Sequence, residues 1–406
     1  MQINGNAHLS YCTNIHAGES WPETLRSLEE YCIPLKEKIS PGQPFGIGLR
    51  LSNESSEALV QPLVLKQFHD WLAEHDLYVF TINGFPYGAF HDQVVKDQVH
   101  HPDWTTPERL AYTKRLFDIL ATILPTGLDG GVSTSPISYK FWHKTEADLE
   151  RAKSVACQQM VELAAHLVQL KAQTGKSLHL DIEPEPDGIL ENSRGFIDFY
   201  QDYLLQQGVK SLAVLLGSDE ETARDAMLEH VQLCYDVCHF AVAFESPTEV
   251  IDAVLQAGIR IGKIQISAAL RAPLPPEASV RKAIRRELAP FNESTYLHQV
   301  SMKAKNGTIS QFPDLQDGLE QIEEPDFIEL RTHFHVPLFV EEYGLLRATR
   351  EDIIETLSVW QEMGFTRHLE IETYTWEVLP ESLKSNLQDS IEREMRWVMD
   401  TLKISE

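Results

Sequence analysis

Four short stretches of this chain carry polar residues where a buried strand should be apolar. In Leu178-His-Leu-Asp-Ile-Glu-Pro184, His179, Asp181 and Glu183 alternate with apolar neighbours, and period-two geometry puts them on one strand face. Asp236 and His239 close the apolar run Gln232 to His239. Lys263 and Gln265 share a face between Gly262 and Ser267, as do Glu370 and Glu372 between His368 and Tyr374. Carboxylates gathered in one buried place cannot all stay charged and unpaired, so they are separated, protonated or bound to a cation. A set of Glu, Asp, Gln and Glu oxygens suits a hard divalent cation, Mg²⁺ or Mn²⁺ first, with Zn²⁺ or Co²⁺ as alternatives. The bland outcome for the same acids is an ion-pair network with Arg50, Lys263 and Arg271, and the residues alone leave both outcomes open.

Other side chains offer chemistry beside a bland role. His333 and His335 alternate in Thr332-His-Phe-His-Val-Pro337, which reads as a short strand presenting both rings to one side. There they would contact a metal or phosphate, or form a hydrogen-bonded structural pair. His16 precedes Gly18-Glu-Ser20, where a helix N-terminus could hold an anion or Ser20 could simply cap the helix. The loop Asn83 to His91 is rich in glycine and aromatics, and Phe85, Tyr87 and Phe90 could stack on a ring or fill the loop's own small core. Tyr374 and Trp376 are similar candidates after the last strand. Cys234 and Cys238 are read on one strand face, as apolar strand residues before a zinc pair.

The elements that must position these residues recur as a short strand-like run, a polar loop and a helical stretch, which predicts parallel βα units. Strand candidates are Leu9 to Ile15, Phe45 to Leu51, Leu77 to Asn83, Gly131 to Pro136, Ser177 to Glu183, Gln232 to His239, Ile261 to Ser267 and His368 to Tyr374. Helical patterns fall at Leu63 to His75, Pro107 to Leu124 and Thr145 to Gln173. About eight strands favour a closed (β/α)₈ TIM barrel over an open doubly wound sheet, and no Gly-x-Gly-x-x-Gly turn follows an early strand. One domain spans 1–406. Within it Ala272 to Tyr343 fits no single βα unit, with Pro-rich text, a basic helix at Arg281 to Glu287, and strand-like runs at Tyr296 to Ala304 and Leu330 to Phe339. It is expected as an insertion between strands seven and eight, over the C-terminal face where barrel sites lie.

Composition narrows the function classes. The net charge of −26 argues against an extended nucleic-acid interface or an anionic membrane surface. With 43% hydrophobic residues and no apolar run near the roughly 18 residues of a spanning helix, no membrane insertion is expected. Five scattered cysteines and no signal-peptide pattern point to a reduced, cytoplasmic setting.

The same four stretches, Leu180-Asp-Ile-Glu-Pro184, Asp236-Val-Cys-His239, Ile264-Gln-Ile-Ser267 and Leu369-Glu-Ile-Glu-Thr-Tyr374, occur in the order found in xylose-isomerase-like barrels. That group includes hydroxypyruvate isomerase, ketose 3-epimerases and endonuclease IV. The pattern most resembles hydroxypyruvate isomerase, which also has Gln on the seventh strand. The resemblance implies Glu183, Asp236, Gln265 and Glu372 as metal ligands, Glu183 and Glu372 also as the acid–base pair, and His239 as a substrate-binding or supporting residue. It implies isomerase or epimerase chemistry on a small sugar-like or polyol-like metabolite, by proton transfer next to a metal-bound carbonyl. His333, His335, His16, Asn83, Tyr87 and Trp376 are the further expected substrate contacts.

The chain also resembles, nearly end to end, the EboE family of the Ebo metabolite-traffic cluster. The residues that carry this are His8 to His16, Asn83 to His91, Pro102-Asp-Trp104, Thr332 to Pro337 and Glu372 to Trp376. It implies handling of a small metabolite alongside other Ebo-cluster proteins. A non-catalytic metal-containing carrier is the alternative reading. Endonuclease IV-like phosphodiester hydrolysis is a more distant one, since it would need a His-rich metal cluster and a basic face.

Overall fold

The computed structural model describes residues 1–3, 6–91, 94–380, 384 and 386–404. Among these residues fourteen strands form two sheets. In chain order they are β1 His8–Tyr11, β2 Phe45–Arg50, β3 Leu77–Asn83, β4 Gly130–Thr134, β5 Leu178–Ile182, β6 Val231–Asp236, β7 Ile261–Ile266, β8 Leu270–Pro273, β9 Val300–Ala304, β10 Ile309–Phe312, β11 Phe327–Thr332, β12 Glu342–Tyr343, β13 Leu346–Ala348 and β14 His368–Ile371. The first sheet runs β1-β14-β7-β6-β5-β4-β3-β2, all parallel. A parallel bridge between Cys12 and Gly48 brings its two ends together. The result is a nearly closed barrel of eight parallel strands wrapped by helices, the expected (β/α)₈ class.

Each strand is short and buried along its length, so the barrel is a packed core rather than a pore. Ile47, Leu49, Val79, Ile82, Val132, Leu180, Leu233 and Ile264 are fully buried, alternating along their strands with the residues that face the barrel interior. Inside the ring the polar residues stack in layers. Lys263 Nζ and Glu370 Oε2 are 2.5 Å apart, both side chains fully buried. Glycines make room for these groups: a Cβ on Gly48 would come within 1.8 Å of Glu370 Oε1, and one on Gly262 within 1.9 Å of Asp181 Oδ1.

The helices begin and end where local chemistry dictates. The long helix Glu146–Thr174 opens on Thr145, whose hydroxyl accepts from the Asp148 amide at 3.2 Å while Asp148 accepts from the Thr145 amide at 3.1 Å. It stops at Gly175, whose φ of +73° is left-handed. Among the described residues no helix is long and apolar enough to cross a membrane.

Between β7 and β14 the chain builds the second sheet, in the order β10-β9-β11-β8-β13-β12 with antiparallel neighbours. Its strands span Leu270 to Ala348, a little wider than the Ala272–Tyr343 expectation. The strand-like run Leu330 to Phe339 is corrected: the strand is Phe327–Thr332, so His333 and His335 lie just past its end. The run Gln232 to His239 is corrected too. Its strand ends at Asp236, whose carboxylate accepts from the His239 amide at 3.0 Å and caps the helix Val237–Val242. Cys238 therefore sits on that helix and shares no strand face with Cys234.

Candidate active site

The C-terminal ends of β5, β6 and β14 bring three carboxylates together. Glu183 follows β5, Asp236 ends β6 and Glu372 follows β14; ligand atoms of all three lie within 4.8 Å of one another. All are at least 95% buried. Two of them keep an unpartnered oxygen: Glu183 Oε2 and Asp236 Oδ2 have no hydrogen-bond partner. Among the described residues none of the three pairs with a Lys or Arg. The basic residues that might have taken them are engaged elsewhere, Lys263 with Glu370, Arg50 with Glu19 at 3.0 Å, and Arg271 with Glu351.

The electrostatics follow from this crowding. Burial pushes the Glu183 carboxyl well above the usual range, and the charges of Glu372 and Asp236 push it further. Burial does the same to Glu372, with Asp236 and Glu370 adding. At Asp236 burial also pulls upward, but the neighbouring His239 and His335, the His239 amide and the Ser267 hydroxyl outweigh it and leave the group below its ordinary value. Glu183, Asp236 and Glu372 are thus a group of buried acids that could hold a cation. The oxygen donor set fits a hard divalent ion.

Glu372 is held in place from below. Its Oε1 accepts from Asn14 Nδ2 and from Asn83 Nδ2, each at 2.8 Å. Asn83 ends β3, and Asn14 lies in the short turn Thr13–Ile15 after β1. Above the acids opens a cavity of roughly 510 Å³, its open mouth included, lined by Glu183, Glu372, His239, His333, His335 and Asn83 among others. Phe85, Phe90, Tyr296 and Tyr374 give it an aromatic wall. Three imidazoles stand together on one side, with His333 Nε2 3.2 Å from both His239 Nε2 and His335 Nε2.

Several expected contacts are elsewhere. Gln265 is buried inside the barrel beside Asp236 and Glu370 in the strand register, and its Oε1 accepts from the Cys234 thiol at 2.6 Å. His16 stacks on Tyr31 with ring centroids 4.2 Å apart, its Nε2 bonded to the Tyr11 hydroxyl at 2.9 Å, away from the cavity. The nearby helix N-terminus is closed by Glu23, which accepts from the Ser20 amide at 3.0 Å, so it offers no anion seat. Tyr87 packs edge-on to Tyr112 and Trp376 lies against Phe339; neither lines the cavity.

Sequence reasoning missed Asn14, Tyr296 and Gln299. Asn14 sits in a turn with no periodicity to mark it. Gln299 immediately precedes β9 and becomes visible only when β9 pairs with β11, which sets it beside His333.

The chain matches no family model and no curated protein. Among solved structures it is similar to a xylose isomerase-like TIM barrel protein from Mycobacterium smegmatis in complex with magnesium, with a TM-score of 0.50 at 12% identity over 99% of this chain and 98% of that one. It is similar to a D-tagatose 3-epimerase-like protein, with a TM-score of 0.50 at 9% identity over 98% and 97%. At such identity the likeness speaks for architecture: the fold is that of a xylose-isomerase-like TIM barrel.

Proposed function

We propose that this chain is a divalent-metal-dependent isomerase or epimerase acting on a small sugar-like or polyol-like metabolite. The observation that carries the reading is that Glu183 and Glu372 face one cavity from different strands, beside Asp236, and that among the described residues no Lys or Arg is directly paired with any of the three. These three residues would hold the cation. Gln265, the fourth member implied by the resemblance, would join them by giving up its bond to Cys234. A bound divalent cation supplies Lewis acidity, polarising a carbonyl and acidifying the neighbouring C–H.

The side chains account for the rest. Glu183, with an unpartnered Oε2, is placed to take a proton from the carbon beside the carbonyl. Glu372, its Oε1 fixed by two amides, would use its other oxygen to return the proton from another direction. Two bases on separate strands suit inversion at a carbon or transfer between neighbouring carbons, whereas a pure carrier needs a cation seat but not two opposed acids. The aromatic wall excludes water and offers ring faces to sugar C–H groups.

Phosphodiester hydrolysis is disfavoured by the same cavity. Its acidic lining includes Glu183, Glu185 and Glu372, and Lys96, at its rim, is paired with Asp314 at 2.7 Å.

The motif resemblance to EboE supports a narrower reading, in which the substrate is a metabolite handled with other Ebo-cluster proteins in the cytoplasm. Co-purification of those proteins with the tagged chain checks it.

The main test uses the full chain reconstituted with Mg²⁺ or Mn²⁺ and a panel of ketoses in D₂O, following loss of the proton α to the carbonyl by NMR. Exchange is expected for a subset, reduced by about 10²-fold or more in Glu183→Gln and in Glu372→Gln. Exchange unaffected in both variants would overturn the acid–base assignment, and binding without exchange would establish the carrier instead.

A further inference from the structure

The three imidazoles carry a consequence of their own, independent of whether the chain turns a substrate over. His239 Nδ1 lies 2.9 Å from the Pro184 carbonyl and His335 Nδ1 2.7 Å from the Glu372 carbonyl. A carbonyl can only accept, so both Nδ1 atoms carry the proton. His333 Nδ1 lies 2.7 Å from Gln299 Oε1. The Gln299 amide nitrogen donates to Glu185 Oε1 and to the Pro186 carbonyl, each at 3.0 Å, which turns its oxygen toward the ring. His333 Nδ1 is therefore also the donor. In the neutral rings each Nε2 is left as an acceptor, and the Tyr374 hydroxyl, 3.3 Å from His333 Nε2, reaches one of the three.

Two of these acceptors face that of His333. His333 Nε2 is 3.2 Å from each of the other two, and the rings are 4%, 5% and 0% exposed for His239, His333 and His335. Facing lone pairs at such a distance repel unless something positive sits among them. Nitrogen ligands at about 2.0–2.1 Å in a tetrahedral array stand about 3.3–3.4 Å apart, close to the 3.2 Å that separates His333 Nε2 from His239 Nε2 and from His335 Nε2.

We propose that His239, His333 and His335 form a second cation site, separate from the carboxylate group, that takes a zinc-class ion (Zn²⁺ or Co²⁺) through their three Nε2 atoms. Imidazole donors prefer such borderline ions, whereas the neighbouring carboxylate group prefers a harder one. Three protein nitrogens leave a fourth position open, bordered by Asp236, Glu185 and Cys238. Asp236 is within ligand reach of both groups, so the two cations would be neighbours. The Glu185–Gln299–His333 chain and the two carbonyls orient the ligands, as the supporting groups of metal-binding histidines do. Two of the three ligands come from the segment between β7 and β14, so that segment turns an oxygen-lined barrel mouth into a mixed oxygen and nitrogen centre.

The test is cobalt(II) titration of the metal-free full chain, together with zinc X-ray absorption of the zinc-loaded wild type. Visible ligand-field bands of a nitrogen-ligated ion and an imidazole scattering pattern for three histidines are expected. His333→Ala and His335→Ala should each weaken cobalt binding by about 100-fold or more, while Glu183→Gln leaves the bands in place. The absorption spectrum is read on the wild type and decides the matter even where a variant fails to fold. An oxygen-only shell, absence of bound cobalt, or bands surviving in both histidine variants would overturn the site. Magnesium-dependent proton exchange that persists without it would leave the isomerase reading intact.

Discussion

Asn83 and Glu372 are 289 positions apart and joined by a hydrogen bond of 2.8 Å, which ties the end of β3 to the residue just past β14. Asn14 donates to the same oxygen at the same distance. Two neutral amides aimed at one carboxylate oxygen orient it without neutralising it, which is what a metal-binding acid requires. Asn83→Ala should weaken Mn²⁺ binding by about 10-fold and Asn14→Ala/Asn83→Ala by about 100-fold, read by calorimetric titration. Unchanged affinity in the double variant would remove Glu372 from the ligand set.

Lys263 and Glu370 make a fully buried ion pair inside the ring. Removing one partner strands the other charge in the core, so Lys263→Met should cost about 3–5 kcal/mol in urea denaturation. Lys263→Met/Glu370→Leu should recover much of that loss, because it removes both charges. A double variant as unstable as the single one would mean that packing, not charge, sets the cost.

Gly48 depends on the same pair. A methyl group there meets Glu370 Oε1 at 1.8 Å, which forces the carboxylate off Lys263. Gly48→Ala is expected to destabilise by about 1–3 kcal/mol or more, and its effect should couple to Glu370→Gln in a double-mutant cycle. Additive effects of the two changes would show that the clash is relieved elsewhere.

Glu394, on the helix Leu387–Thr401, reaches inward to accept from the Leu338 amide at 3.1 Å and the Thr373 hydroxyl at 2.8 Å. Burial raises its carboxyl to about 8 despite these bonds. A pKa raised in the folded state means that the fold holds the proton more tightly than the unfolded chain does. The resulting stability is fully present below the ordinary value of 4.5 and lost as pH rises through about 8. At about 1.4 kcal/mol per pH unit, the loss is on the order of a few kcal/mol. Thermal unfolding between about pH 5 and 8 should therefore show a flatter profile for Glu394→Gln than for the wild type. Parallel profiles would refute the raised pKa.

The sequence by itself determined the architecture. Leu77–Asn83 reads as a strand to the residue, and the helices at Pro107–Ile123 and Glu146–Thr174 lie within a residue or two of where their patterns fall. These are local signals: apolar period, Thr or Pro at the start, Gly at the end. Carboxylates at strand ends were also legible, since a polar residue in an otherwise apolar parallel strand has few reasons to be there. Tertiary structure alone decided what each acid meets. Glu370 and Glu372 look equivalent on one strand face, yet ring closure puts Lys263 against the first and two asparagine amides against the second. His333 and His335 read as a strand pair, and His239 as a strand end. Their convergence depends on a helix capped by Asp236 and on a second sheet whose β9–β11 pairing delivers Gln299 and His333 together. Contacts of that kind are set by register and closure between distant segments, which no local period records.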